Sequence, residues 1–269
     1  MEKLHMIGTG TALSTKYYNT CYIIANKEGY LLEDGGSGNG ILKRFKQMNL
    51  DWNRLHNVFV THAHTDHVLG IIWVIRYVAY LMVEKDYWGE LNIYCHQELK
   101  DIIETICKML IRPAEAEMIG KRIHFHIVGD GNVRNVLGYE MTFFDIHSKK
   151  MKQFGFTMKL RNEKTLTCLG DEPYHLVNKK YVENADWLLA EAFCLYEDKE
   201  IYWPYRYHHS TVRDACELAE TLHVKNLILY HTEDYEERKE KFIREGRKYF
   251  SGNILVPEDM EVINLDESF

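Results

Sequence analysis

Thr61-His62-Ala63-His64-Thr65-Asp66-His67 sets three histidines and an aspartate in six consecutive positions, 62 to 67. The apolar run Val58-Phe59-Val60 leads into it, and the apolar segment Val68 to Val83 leads out. This order reads as a strand, a tight loop and a buried helix, with the polar cluster on the loop. Imidazole nitrogens and a carboxylate oxygen are donors that borderline metals such as zinc accept. Side chains two apart in extended chain point the same way, so His62 and His64 can reach one metal. Asp66 and His67 lie where the chain turns into the helix and could face a second. The competing reading, a polar loop that happens to be histidine-rich, has to accommodate four ligand-type residues in six positions. The stretch reads as a metal site.

The chain is long enough, at 269 residues, to bury a sizeable core in one domain, 1–269. With 46% hydrophobic and 27% charged residues its composition is that of a globular protein rather than a disordered one. The net charge of −7 provides no global basic field for nucleic acid or anionic membrane, although a local patch at Lys149, Lys150 and Lys152 stays open beside the plainer reading of a solvated face. Cys21, Cys95, Cys107, Cys168, Cys194 and Cys216 occur singly, without a Cys-x-x-Cys pair. They read as small core residues in a reducing cytoplasm. The N-terminal residues lack a long apolar core after a basic start, so no signal peptide is expected. Ile71 to Val83, interrupted by Arg76, is too short to span a bilayer, and no membrane partner is expected.

Strands are expected at Leu4–Ile7, Cys21–Ala25, Tyr30–Glu33, Leu91–Tyr94, Ile123–Val128, Met141–Ile146, Phe154–Leu160, Thr165–Leu169, Asp186–Glu191 and Asn226–Tyr230. Helices are expected over 38–48, 98–110 and 212–222, the last capped by Ser210 or Thr211 with Asp214 in its first turn, and a charged surface helix over 233–248. Gly8-Thr9-Gly10 is a weak phosphate-loop signal and reads better as a turn at the edge of a site. Asp34, closing a strand, suits either a turn cap or an acceptor behind a metal-binding histidine. A ligand-type residue follows one apolar strand after another: the cluster at 62–67, then His147, Asp171 and His231, with Glu191 ending a further strand. Such side chains converge on one edge of a sheet, where sites in mixed α/β folds gather. His5, His56, His124 and His126 lack ligand-type neighbours and read as structural or exposed.

His62-x-His64-x-Asp66-His67, His147, Asp171 and His231, in that order and over nearly the whole chain, resemble the metallo-β-lactamase superfamily of binuclear metallohydrolases. The resemblance implies an α/β fold, a four-layer αββα sandwich with metals at one edge between two sheets. Tyr207-His208-His209-Ser210-Thr211 is similar to the His-Ser-Thr motif of the ribonuclease Z-like branch, and Ala190-Glu191-Ala192-Phe193 to its His-Glu-Ala-Thr motif. Only Thr157 to Leu169 lies between Phe156 and Gly170-Asp171, where members that process transfer RNA carry a long RNA-gripping arm.

By that resemblance His62, His64 and His147 would hold one divalent metal. Asp66, His67 and His231 would hold the other, with Asp171 bridging. The donor set suits zinc and also admits manganese or iron. The implied nucleophile is a metal-bridging hydroxide oriented by Asp66, and His209, oriented by Glu191, would assist at the phosphate. The missing arm directs the expectation to a phosphodiesterase acting on a small-molecule phosphodiester, with nucleic acid less favoured. Alternatives on the same scaffold are tRNA 3′ processing, hydrolysis of a lactam, lactone, thioester or sulfate ester, and a metal-binding sensor without turnover. The aromatic residues from Tyr196 to Tyr207, including Trp203 and Tyr205, suit packing, a pocket wall or the contact of a homodimer.

Overall fold

Two seven-stranded sheets form the centre of the molecule. The computed structural model describes residues 2–266. The first sheet runs in the order β14 (Val262–Asn264), β1 (Lys3–Gly8), β2 (Cys21–Asn26), β3 (Gly29–Glu33), β4 (Leu55–Phe59), β5 (Leu91–Cys95) and β6 (Ile123–Ile127). The second runs β13 (Asn253–Leu255), β12 (Asn226–Tyr230), β11 (Trp187–Glu191), β10 (Thr165–Cys168), β9 (Phe154–Lys159), β8 (Tyr139–Asp145) and β7 (Asn132–Val136). Each sheet is antiparallel on one side and parallel on the other: β3 to β6 run parallel in the first, and β10 to β13 in the second.

Period-two alternation decides the layers. Along β12, Ile228 and Tyr230 enter the core between the sheets, while Leu227 and Leu229 face the helices outside. All five residues of the strand are buried, as a parallel strand covered on both faces requires. Tyr22, Phe59, Phe143, Phe156 and Trp187 complete the inter-sheet core. Outside the first sheet pack α1 (Gly40–Gln47), α2 (Thr65–Val83), α3 (Gln97–Leu110) and the single turn α4 (Pro113–Ala116). The second sheet is covered by α7 (Val212–Thr221) and α8 (Arg238–Gly246), with the short turns α5 (Lys179–Val182) and α6 (Lys199–Tyr202) between strands. The architecture is the αββα sandwich expected from the sequence.

Several boundaries differ from the sequence reading. Strand β7 follows the turn at 129–132, and its exposed polar residues Arg134 and Asn135 gave no alternating signal. The three-residue strands β13 and β14 are too short for a periodic pattern. The surface helix spans Arg238–Gly246 rather than 233–248, because Asp234 turns back to accept hydrogen bonds from Thr15. The apolar segment after the histidine-rich loop belongs to a longer helix, Thr65–Val83, which by length and composition alone could cross a membrane. Here Ile71, Val74, Ile75, Val78 and Met82 bury it in the core beneath the first sheet. All six cysteines are buried and free.

Candidate metal centre

Parallel strands present their C-terminal ends along one edge, and the site is assembled there. Asp34 follows β3, the histidine-rich loop follows β4, Asp171 follows β10, Glu191 ends β11 and His231 follows β12. The chain turns abruptly at these points, with Asp34 at φ 53° and His231 at φ 55°, left-handed conformations uncommon for residues other than glycine. Such conformations cluster at functional sites. Helix α2 begins against the Asp34 loop. Gly70 N–H donates to the Gly36 carbonyl at 2.7 Å, and a Cβ on either Gly35 or Gly70 would collide with the backbone of the other. Glycine at both positions therefore brings His67 within reach of Asp34.

Donor atoms converge in overlapping groups. His62, His64 and Asp171 form one, Asp66, His67 and His231 a second, and Asp171, His209 and His231 a third, the atoms of each lying within 4.8 Å of one another. Asp171 spans the centre: its Oδ1 is 3.7 Å from His62 Nε2, and its Oδ2 is 3.8 Å from His67 Nε2 and 3.6 Å from His231 Nε2. Asp66 Oδ2 is 3.2 Å from His67 Nε2.

Hydrogen bonds behind the histidines fix their tautomers. Thr61 Oγ1 donates to Asp34 Oδ2 at 2.6 Å, so it accepts from His62 Nδ1, 2.8 Å away. Thr20 Oγ1 donates to the Gly10 carbonyl at 3.0 Å and accepts from His231 Nδ1 at 3.1 Å. His67 Nδ1 donates to Asp34 Oδ2 at 2.6 Å. In all three rings the Nδ1 proton is held behind the site and Nε2 faces the centre, the arrangement typical of metal-ligating histidines. His67 Nε2 is buried and has no hydrogen-bond partner among the described residues, as befits a donor that awaits a cation.

The electrostatics agree. Burial, reinforced by neighbouring imidazoles, holds His62 well below the usual histidine range. Burial brings His231 down to about 3, with Asp171 opposing it in part. Both rings are neutral and able to ligate. Burial also disfavours charge on His67, but Asp66 and Asp34 outweigh it and push this ring up. Burial would raise Asp171 and Asp66 as well. The surrounding imidazoles, with Lys150 beside Asp171, hold both carboxylates below their ordinary values. Two ionised carboxylates among buried imidazoles suit a divalent cation.

His209 and Glu191 stand at the edge of the cluster. His209 Nδ1 lies 2.5 Å from Glu191 Oε2, and Ser210 N–H donates to Glu191 Oε1 at 2.7 Å. Thr211 caps α7, with Asp214 completing a capping box, which anchors the loop that carries His209. Phe193, where the branch motif has threonine, stacks on the His209 ring at 4.5 Å and 10°. Burial works against a charge on His209, but the Glu191 carboxylate prevails and raises it. Glu191 is itself raised by burial, with His209 countering.

His147 is the one expected ligand that the structure does not bring to the centre. Beyond β8 the chain turns at His147 with φ 59°, its N–H donates to Asp145 Oδ1 at 2.7 Å, and the exposed ring lies 5.4 Å from that of His175. Lys150 from the same loop points inward instead. Its Nζ donates to the Asp171 carbonyl at 2.8 Å and lies 3.4 Å from both Asp171 Oδ2 and His209 Nε2. Neither a basic surface patch nor a solvated face, the two readings the sequence offers for Lys150, describes it, because its side chain is only 15% exposed. The Gln153 amide also donates to Asp171 Oδ1. Asp34 proves to be an acceptor behind His67.

A cleft of about 620 Å³ opens over the cluster. His64, Asp66, Lys150, Asp171, His209 and His231 form its polar side, and Leu13, Phe193, Ile201, Trp203 and Tyr207 its apolar side. Thr11, after the early glycine turn, and Glu233 also line it.

The family model described as Anti-Pycsar protein Apyc1 matches residues 2–252. Ribonuclease Z of Thermococcus sibiricus is 26% identical over 317 aligned positions, taking in 100% of this chain and 98% of the relative. Among solved structures, the metallo-β-lactamase-fold protein YhfI of Bacillus subtilis superposes with a TM-score of 0.78 at 17% identity, covering 97% of this chain and 98% of that one. A diphosphatase of the PhnP family superposes with a TM-score of 0.72 at 14% identity, covering 97% of this chain and 96% of that one. The chain has the metallo-β-lactamase fold, is similar over its whole length to Ribonuclease Z, and belongs to the family of the Anti-Pycsar protein Apyc1.

Proposed function

We propose that the centre hydrolyses a small phosphodiester. Asp66, His67 and His231 would hold one divalent metal, His62 and His64 a second, and Asp171 would be shared between them. Zinc suits this donor set best, and manganese or iron would be accepted. Metals so bound supply Lewis acidity toward phosphoryl oxygens and acidify water near neutral pH. The observation that carries the reading is the His209–Glu191 pair. A histidine whose Nδ1 is tied to a buried carboxylate keeps Nε2 facing the cleft beside Asp171. From there it donates a proton to a phosphoryl or leaving oxygen. Asp66, held ionised, is placed to orient the attacking water. The apolar wall with Trp203 and Tyr207 shields the reaction from bulk solvent and receives the organic part of the substrate.

Substrate size follows from the second sheet. Strands β9 and β10 are joined by a tight turn closed by Leu160 N–H donating to the Lys164 carbonyl at 2.8 Å. That connection has no room for an RNA-gripping arm. The family description names a role and not a substrate, and a diphosphatase among the structural neighbours accords with compact phosphate substrates. The second reading, RNA cleavage, is favoured by Ribonuclease Z relatives that span the whole chain. The buried free thiols accord with a reducing compartment, and we place the protein in the cytoplasm. A panel of an aryl phosphodiester, a precursor tRNA, nitrocefin, a lactone and an aryl sulfate tests the proposal. Turnover is expected on the phosphodiester, and preferential cleavage of any other member would displace it.

A further inference from the structure

We propose that a basic pocket at the far end of the first sheet binds a compact phosphate-bearing anion, apart from the metal centre. Lys3 opens β1, Tyr30 lies at the start of β3, and Arg54 immediately precedes β4. Asp34 and the histidine-rich loop lie beyond the opposite ends of β3 and β4, so the length of these strands separates the two sites. Strand register sets the floor of the pocket. Lys3 pairs with Ala25 and Ala25 with Tyr30, so the three side chains stand side by side on the outer face of the sheet. The period of two puts His5 on that face as well, because Leu4 and Met6 enter the core between the sheets. Lys3, His5, Lys27, Tyr30 and Arg54 line a cavity of about 380 Å³ there.

Charge and an unpaired donor identify the ligand. Lys3, Lys27 and Arg54 carry permanent positive charge, and none of them pairs with a carboxylate among the described residues. Glu28, next to Lys27 in the turn, is held by Arg161 instead. Asp51, just ahead of Arg54, accepts from Asn53 N–H at 2.9 Å. Arg54 is fixed without being neutralised: its guanidinium donates to the Asn26 carbonyl and lies 4.5 Å over the Tyr30 ring. His5, structural or exposed by its sequence context, lines the same cavity, and its buried Nδ1 has no hydrogen-bond partner among the described residues. Burial, with Lys3 and Arg54 nearby, holds this ring below the usual histidine range. Uncompensated cations and an unpaired buried polar atom are both unfavourable, and one anion relieves both. Phosphate oxygens accept from guanidinium and ammonium groups together, and three cations suit a dianion better than a single carboxylate. The volume is near the small end of the range for ligand pockets, which limits the occupant to a phosphate with at most a short organic substituent.

Nuclear magnetic resonance of the full-length, metal-loaded chain with isotope-labelled histidines tests this directly, because the His5 ring reports on the pocket and not on the metal centre. Its resonance, assigned with His5→Gln, is followed during titration with inorganic phosphate and, separately, with glycerol phosphate, both at constant ionic strength. A saturable shift of His5 is expected with at least one of them. Tighter binding of the ester would make the organic substituent part of the ligand, and equal binding would assign recognition to the phosphate group alone. Arg54→Met should weaken binding by about tenfold or more, whereas Arg54→Lys should keep most of it. Lys27→Met, at an exposed position, should also weaken it, and this variant tests the proposal even if Arg54→Met fails to fold. Turnover at the metal centre should be the same in Lys27→Met and the wild type. A His5 shift that rises linearly with either anion without saturating, or saturation unchanged in both Arg54→Met and Lys27→Met, would overturn the proposal.

Discussion

Glu191→Gln replaces a buried carboxylate with an amide of nearly the same shape, so its consequences are electrostatic. Glu191 accepts two hydrogen bonds, from Ser210 N–H at 2.7 Å and His209 Nδ1 at 2.5 Å. A glutamine has one acceptor oxygen. If that oxygen stays on Ser210 N–H, the amide N–H faces His209 Nδ1, which can accept it only by giving up its proton. The ring then reverses its tautomer and loses the charge that Glu191 maintains. A charge-assisted hydrogen bond is worth about 1.5–3 kcal/mol, so kcat/KM on an aryl phosphodiester should fall roughly ten- to hundredfold. The pH profile should move in a defined direction. The His209 pKa lies above the ordinary histidine value, so the protonated ring persists to higher pH than in a free histidine and is lost as pH rises through that raised value. Without the carboxylate that raises it, the loss on the alkaline side should begin at lower pH. Metal content should not change. An unaltered pH profile in a folded, metal-replete variant would refute the role assigned to the pair.

Three further outcomes are expected. Asp34→Ala removes the acceptor of both His67 Nδ1 and Thr61 Oγ1, and should weaken metal affinity about 10–100-fold as measured by chelator competition. Phe143→Ala, at a fully buried position between the sheets, should lower unfolding free energy by about 3–5 kcal/mol in urea titrations, with a reduced but metal-binding native state. Chelation should lower the thermal midpoint and readdition of zinc restore it, because a ligand that binds only the folded chain stabilises it by mass action. An unmoved midpoint would argue against a metal held in the native fold.

The fold was readable largely because its inner strands are continuous apolar runs, each followed by a polar side chain, as in Asn226–Tyr230 before His231. Six of the seven expected ligands meet at the centre for the same reason: a parallel strand fixes where its C-terminal residue emerges. His147 and Lys150 fall outside that logic. Both lie on a loop whose course is decided by Glu172, 22 residues from Lys150, through hydrogen bonds that leave no periodic trace. The same holds for Thr20 and Thr61, ordinary strand and loop residues by type, which matter through the histidine nitrogens they meet. Strand β7 was hidden by its exposed polar face, and β13 and β14 by their brevity.

The central claim is that this is a metal-dependent hydrolase of small phosphodiesters. Its most direct test is turnover of an aryl phosphodiester and of a precursor tRNA by the same preparation, before chelation, after it, and after zinc is restored. Phosphodiester cleavage that disappears with the metal and returns with it, well above any cleavage of the tRNA, is the predicted result. A metal-replete enzyme that leaves the phosphodiester intact, or that cuts the tRNA in preference, would contradict the account.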